Sequence, residues 1–81
     1  SDFVERELML IKFKKDSFPE ESFDETNIVS NNEEIVNVQI IGTSSELDQL
    51  ILDTAHSNPI EIVRSGPLGI SSDKNTLSID N

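Results

Sequence analysis

Carboxylates are the side chains best placed to do chemistry in this sequence, and they are abundant. Sixteen Asp and Glu stand against six Lys and Arg, with a single histidine and no cysteine. Two carboxylates can run general acid–base chemistry unaided, but acids scattered along the chain single out no pair. His56 has no second His or Cys with which to form a dyad or activate a nucleophile. It falls at the end of a predicted helix, where the C-terminal dipole favours imidazolium, and reads as a solvent-facing residue. The serines stand in no nucleophile-elbow context. Asp24, Glu25, Glu33 and Glu34 offer oxygen ligands suited to weak Ca²⁺ binding, yet the EF-hand spacing with its central Gly is missing, and a solvated acidic loop is the plainer reading. Gly66-Pro67-Leu68-Gly69 has the wrong order for a phosphate cradle and reads as a turn. No catalytic, cofactor-binding or metal-ligating residue is assigned.

Composition narrows the function classes further. The formal charge of −10 repels phosphate backbones and anionic lipid, so neither nucleic acid nor a membrane surface is an expected partner. No apolar run approaches the roughly 18 residues of a membrane span, and no signal-peptide pattern opens the chain. Eighty-one residues allow one small domain with a marginal core. Without cysteine there are no disulfide staples, and with four Phe but no Trp or Tyr, Leu, Ile and Val must fill most of that core. The sequence starts at Ser1 and its only methionine, Met9, lies inside an apolar run, so the start reads as a processed or excised end.

Four stretches must position whatever the chain presents. Leu8 to Phe13 is almost wholly apolar and predicts a strand that is covered on both faces or central in its sheet, with Glu5-Arg6-Glu7 at the sheet margin. Asp16 to Glu34 holds seven acids and no bases. Ser17-Phe18-Pro19-Glu20 is a weak capping box for a short helix near 19–25, but Phe18 and Phe23 have poor helical spacing. The stretch 14–34 is expected to be an acidic link, mostly loop with one or two helical turns and no evident strand pair. Glu34 to Ile41 alternates cleanly, with Val36, Val38 and Ile40 on one face of a strand that Gly42 ends. Thr43 and Glu46 then form a capping box, and Leu47, Leu50, Ile51 and Ala55 make one apolar stripe of a helix closed by Asn58-Pro59. Ile60 to Arg64 is a short strand, parallel to the preceding one if the crossover is right-handed. Residues 65–70 suit an edge strand or bulged continuation, and Ser71 to Asn81 a polar tail. The sum is an α+β two-layer sandwich, whose exposed edge or apolar patch offers an interface.

Several segments carry a further signal in chain order. Val4-Glu5-Arg6-Glu7-Leu8-Met9-Leu10-Ile11-Lys12, Val38-Gln39-Ile40-Ile41-Gly42-Thr43-Ser44, Leu47-Asp48 and Glu61-Ile62-Val63-Arg64-Ser65-Gly66 together resemble the C-terminal domain of the acetolactate synthase (acetohydroxyacid synthase) small regulatory subunit. Pro67-Leu68-Gly69-Ile70-Ser71 continues the likeness loosely. The resemblance implies a ferredoxin-like, ACT-like βαββαβ unit over residues 1–70, followed by the tail at 71–81. Its first helix and second strand are shortened or remodelled, because 14–34 is shorter and more acidic than the family pattern. The family's small subunit does no chemistry and needs no cofactor. It activates the thiamine-diphosphate-dependent catalytic subunit and confers valine feedback through an N-terminal ACT domain that this sequence lacks.

By that resemblance the chain is a cytoplasmic, non-catalytic domain that forms a homodimer and docks on the acetolactate synthase catalytic subunit. Glu5, Arg6, Glu7, Arg64, Ser65 and Gly66 are the candidate interface residues. Read from the residues alone, Arg6 and Arg64 pair with neighbouring acids, each bridge worth about 0–1 kcal/mol, and Gly42 and Gly66 serve turns that need positive φ. The acidic link is solvated, or meets a basic patch on a partner. The alternative function is a stand-alone ACT-like sensor binding an amino acid at a dimer interface, and a third reading is an acidic metal-binding module.

Overall fold

The computed structural model describes residues 5–68, which form one four-stranded sheet with a single α-helix on one side. In chain order the elements are β1 (Glu7–Lys14), β2 (Ile28–Asn31), β3 (Ile35–Gly42), α1 (Ser44–Thr54) and β4 (Glu61–Arg64). The strand order is β2-β3-β1-β4, and every neighbouring pair is antiparallel. β3 and β4 both oppose β1, so they run parallel to each other with β1 between them. That is the split β-α-β of the ferredoxin-like arrangement.

β1 is central, as its continuous apolarity suggested, but only one of its faces is covered. Glu7, Met9, Ile11 and Phe13 point to the helix side and are buried, while Leu8, Leu10, Lys12 and Lys14 face away. Val36 and Val38 of β3 and Leu47 of α1 complete the buried core, with Phe18, Phe23, Ile28, Ile40, Leu50 and Ile51 packed around it. The capping box forms as expected: the Glu46 N–H donates to Thr43 Oγ1, and the Thr43 N–H donates to Glu46 Oε1 at 2.9 Å. Gly42 does not have the positive φ expected of it. Its role is close approach, since a Cβ there would lie 2.9 Å from Glu46 Oε1 and 3.4 Å from Leu47 Cδ2. Ala55 is exposed, because α1 stops at Thr54 and the tighter 3₁₀ turn Ala55–Ser57 moves it off the apolar stripe. Thr54 is buried instead, its hydroxyl donating to the Leu50 carbonyl at 2.8 Å. Asn58 then ends the segment in the left-handed region at φ 50°.

Residues 14–34 differ most from expectation. There is no α-helix near 19–25, and Ser17 donates to the Ser57 carbonyl rather than capping one. Three 3₁₀ turns occupy the stretch, at Lys15–Ser17, Glu20–Ser22 and Glu25–Asn27. They carry Phe18 and Phe23 onto Phe13 edge-on, at centroid distances of 5.4 and 5.6 Å. The remaining residues provide a strand after all. β2 pairs with β3 across a turn in which Asn32 Oδ1 accepts from the Glu34 and Ile35 N–H groups, both at 2.8 Å. The short strand expected at 60–64 is β4, which stands at the edge of the sheet. Residues beyond it keep pairing with β1, the Ser65 N–H donating to the Leu8 carbonyl and the Leu68 N–H to that of Arg6. The tail expected at 71–81 lies outside the described residues.

α1 buries a single apolar side chain completely, Leu47, while Leu52 on its outer face is 70% exposed. Leu47→Ala should therefore lower the unfolding free energy by about 2–5 kcal/mol in urea titrations. Leu52→Ala should stay within about 0.5 kcal/mol of the parent.

Candidate functional site

Five of the six candidate interface residues gather where β1 begins and β4 ends. The β1–β4 register sets Arg64 opposite Met9, on the same face as Glu7 and under the start of α1. The chain's pairing beyond β4 brings Ser65 and Gly66 alongside Glu7 and Leu8. Arg6 lies 3.7 Å from Glu46 in the first turn of α1. Glu5 is exposed and has no hydrogen bond or ion pair among the described residues.

Glu7 is the centre of this corner and is only 4% exposed. Its Oε1 accepts from Arg64 Nε at 3.1 Å and from the Gly66 N–H at 3.2 Å. Its Oε2 accepts from Arg64 Nη2 and from Ser44 Oγ at 2.6 Å. The planar guanidinium thus grips both carboxylate oxygens, the strongest neutralising geometry available to an acid. Its remaining nitrogen, Nη1, reaches Asp48 Oδ1, one turn along the helix. Gly66 is at φ +81°, a left-handed conformation in which glycine is unstrained, and this fits the turn role expected of it. Ser65 Oγ accepts from the Leu8 N–H at 3.0 Å and donates to the Gly66 carbonyl. No buried side-chain polar atom among the described residues lacks a partner.

The electrostatics follow from these contacts. The Arg64 hydrogen bonds, then that of Ser44, hold the Glu7 carboxyl at about 2 against an ordinary 4.5. Glu7 and Asp48 in turn push the Arg64 guanidinium above its usual range. A carboxylate held ionised, with both oxygens occupied, has neither a proton to give nor a free lone pair directed at a substrate. The corner is therefore suited to fixing geometry and presenting a surface. Ser44 and Asp48 belong to it although sequence reasoning assigned them no role there. Both fall within the segments that carry the resemblance, and the capping box fixes where their helix starts, but neither signal places them beside Glu7.

The other candidate groups stand apart. His56 is exposed in the 3₁₀ turn after α1. Asp24 spends its carboxylate locally: the Thr26 N–H and hydroxyl donate to it at 3.0 Å and lower its pKa. Among the described residues no three His, Cys, Asp or Glu are grouped to hold a metal ion, and no helix is long and apolar enough to cross a membrane.

The low folded-state pKa of Glu7 makes stability depend on acid. As pH falls below about 4.5 the unfolded chain takes up a proton that the folded chain refuses until about 2. Stability from this group is complete above that window and is lost as pH falls through it. Urea midpoints measured from pH 7 to pH 2 should show Glu7→Gln less stable at neutrality and shallower in its acid-side decline than the parent.

None of the curated proteins shows a significant sequence match to this chain. Residues 6–73 match the model of a protein family described as the small subunit of acetolactate synthase, in its C-terminal domain. The match takes in both arms of the Glu7–Arg64 corner, the helix between β3 and β4, and the remodelled turns. With a ferredoxin-like strand order and a match over most of its length, the chain belongs to the acetolactate synthase small-subunit family.

Proposed function

We propose that residues 1–70 form a non-catalytic regulatory domain that pairs with a second copy and docks on the catalytic subunit of acetolactate synthase. It would act in branched-chain amino-acid synthesis, in the cytoplasm, and without a cofactor of its own. The family supports the regulatory role. The observation that carries the pairing is the uncovered face of the sheet.

That face is apolar across three strands. Leu8 lies opposite Ile41 and Leu10 opposite Val63, so the four side chains form one band spanning β3, β1 and β4. Leu10 and Val63 are exposed, at 40% and 49%. Polarity around the band is unlike that of the rest of the chain. Among the residues facing this way, Lys12 and Lys14 outnumber Glu61, on a molecule whose formal charge is −10. A twofold pair has to present one patch to itself. The acidic turns oppose such self-contact, whereas a band edged by both signs of charge favours it. A single strongly apolar face also needs a cover, since small domains rarely leave such a band in water.

Docking on the catalytic subunit then falls to surfaces that the pair leaves open. The corner built on Glu7 presents Arg64 and Gly66, which Glu7 holds from within, together with Ser65 beside them, Arg6 paired with Glu46, and the exposed Glu5. Arg6 and Arg64 each keep about a quarter of the side chain accessible, 29% and 25%.

Sedimentation of the chain should give a dimer, and Leu10→Asp should give a monomer with an unchanged circular dichroism spectrum. A parent that sediments as a monomer at micromolar concentration would rule out pairing. Titration into purified catalytic subunit, with acetolactate production followed in parallel, should give saturable binding and a rate increase. Absence of binding at micromolar concentration would rule out autonomous docking. Valine added to the chain in a calorimeter should give no saturable heat, and a saturable signal would make the chain an amino-acid sensor instead.

A further inference from the structure

The helix side of the sheet is covered unevenly. Where the split β-α-β plan has room for a second helix, the 3₁₀ turns leave a groove of about 280 Å³. Its floor is Phe18, Phe23, Ile28 and Val36, and its rim carries Glu20 and Glu25. The Phe18 and Phe23 rings stack at 5.7 Å and 12°, and both remain half-buried at the groove.

Charge separates this groove from the rest of the surface. The four ion pairs among the described residues use Glu7, Glu46, Asp48 and Glu61. None uses any of the seven acids between Asp16 and Glu34. The one base at the groove, Lys15, donates its ammonium to Asn31 Oδ1. An apolar floor therefore lies beneath a rim of net negative charge, Glu20 and Glu25 against Lys15. Anionic ligands and anionic lipid are repelled by that rim, and a second copy would set acids against acids.

We propose that the Phe18–Phe23 groove is a docking site for a basic segment of the acetolactate synthase catalytic subunit, an apolar side chain flanked by Arg or Lys. This inference rests on the docking reading above and adds where the partner sits and what chemistry it brings. The apolar side chain covers the floor, a flanking guanidinium or ammonium lies against the accessible parts of the half-buried rings, and Glu20 and Glu25 close charge-assisted hydrogen bonds to it. Complementary charge of this kind speeds encounter and makes affinity fall with salt.

Phe18 and Phe23 also support Phe13, so removing a ring tests folding as much as docking. The rim acids have no such duty. Glu20→Gln with Glu25→Gln is the test pair, and Glu33→Gln with Glu34→Gln, in the β2–β3 turn, removes the same charge away from the groove. Calorimetric titration of each into purified catalytic subunit, at low and at physiological salt, compares them with the parent. The rim pair should bind at least about tenfold more weakly with a shallower salt dependence, while the turn pair stays within about threefold. Thermal unfolding of all three should coincide. Equal weakening in both pairs would reduce the effect to net charge and overturn the groove, as would an unchanged affinity in the rim pair. In either case parental binding would leave docking through the Glu7 corner standing. A parent that does not bind removes the docking reading and the groove with it.

Discussion

Burying a carboxylate beneath a helix is unfavourable unless donors replace the water it loses. Glu7 meets that constraint with contacts to Ser44, Arg64 and Gly66, which lie 37, 57 and 59 residues away along the chain. Each contact fixes a different part of the structure. The Ser44 hydroxyl places the first turn of α1 over the head of β1. The Arg64 fork sets the end of β4 beside the same residue. The Gly66 N–H requires the chain to turn through a left-handed residue just past the strand. A chain without disulfides, and with few large aromatics, thereby has its non-local contacts specified by one polar node as well as by apolar packing. Hydrophobic burial drives collapse without direction, whereas a carboxylate with four donors accepts few alternative arrangements.

The two sides of the sheet have divided the remaining tasks. One side takes the whole core, with α1 covering part of it and three phenyl rings the rest. The other keeps an apolar band and two lysines exposed. Charge is divided as well, since the band carries no acid, whereas the acids of 16–34 lie in the turns that bring Phe18 and Phe23 onto the helix side and in the β2–β3 turn. A molecule with net charge −10 has a mean repulsion against its own kind, so any self-association must run through the surface least affected by it. Any cationic partner is drawn first to the turns.

How much of this was legible in the sequence depended on whether a local period or cap encoded it. β3 and α1 were readable because Val36, Val38 and Ile40 alternate and because Thr43 and Glu46 mark a helix start. β1 was readable as a strand, but continuous apolarity could not say which face lacked a cover, since covering a face is a tertiary event. β2 left no period: it has four residues, and a register shift between Ile28 and Ser30 breaks the alternation by which a strand is recognised. Phe18 and Phe23 were judged by helical spacing, under which five residues is a poor interval. Short 3₁₀ turns joined by extended residues place both rings on Phe13 without that period. Ala55 was assigned to the apolar stripe by extending the helix past its true end. The corner lay further out of reach, because the partners of Glu7 are distant in sequence and no spacing announces them. The resemblance took in Ser44 and Asp48 as well as Glu7, Arg64 and Gly66, but it gave the first two no role, because their contacts depend on the register.

The corner and the Phe groove occupy opposite ends of β1. Glu7 opens the strand and Phe13 stands at its far end, six residues on, which at about 3.3 Å per residue puts them about 20 Å apart. Sites so separated, with no shared partner, contribute to stability nearly independently. The node that fixes the fold therefore makes few demands on the turns, and the turns can change length, charge and secondary structure without disturbing it. This explains how the β1, β3, α1 and β4 framework can stand while acidic 3₁₀ turns occupy the place where a ferredoxin-like plan has a helix. Framework and contact surface answer to different constraints: the first to a buried charge that must be satisfied inside the molecule, the second to the charge and shape of whatever approaches from outside.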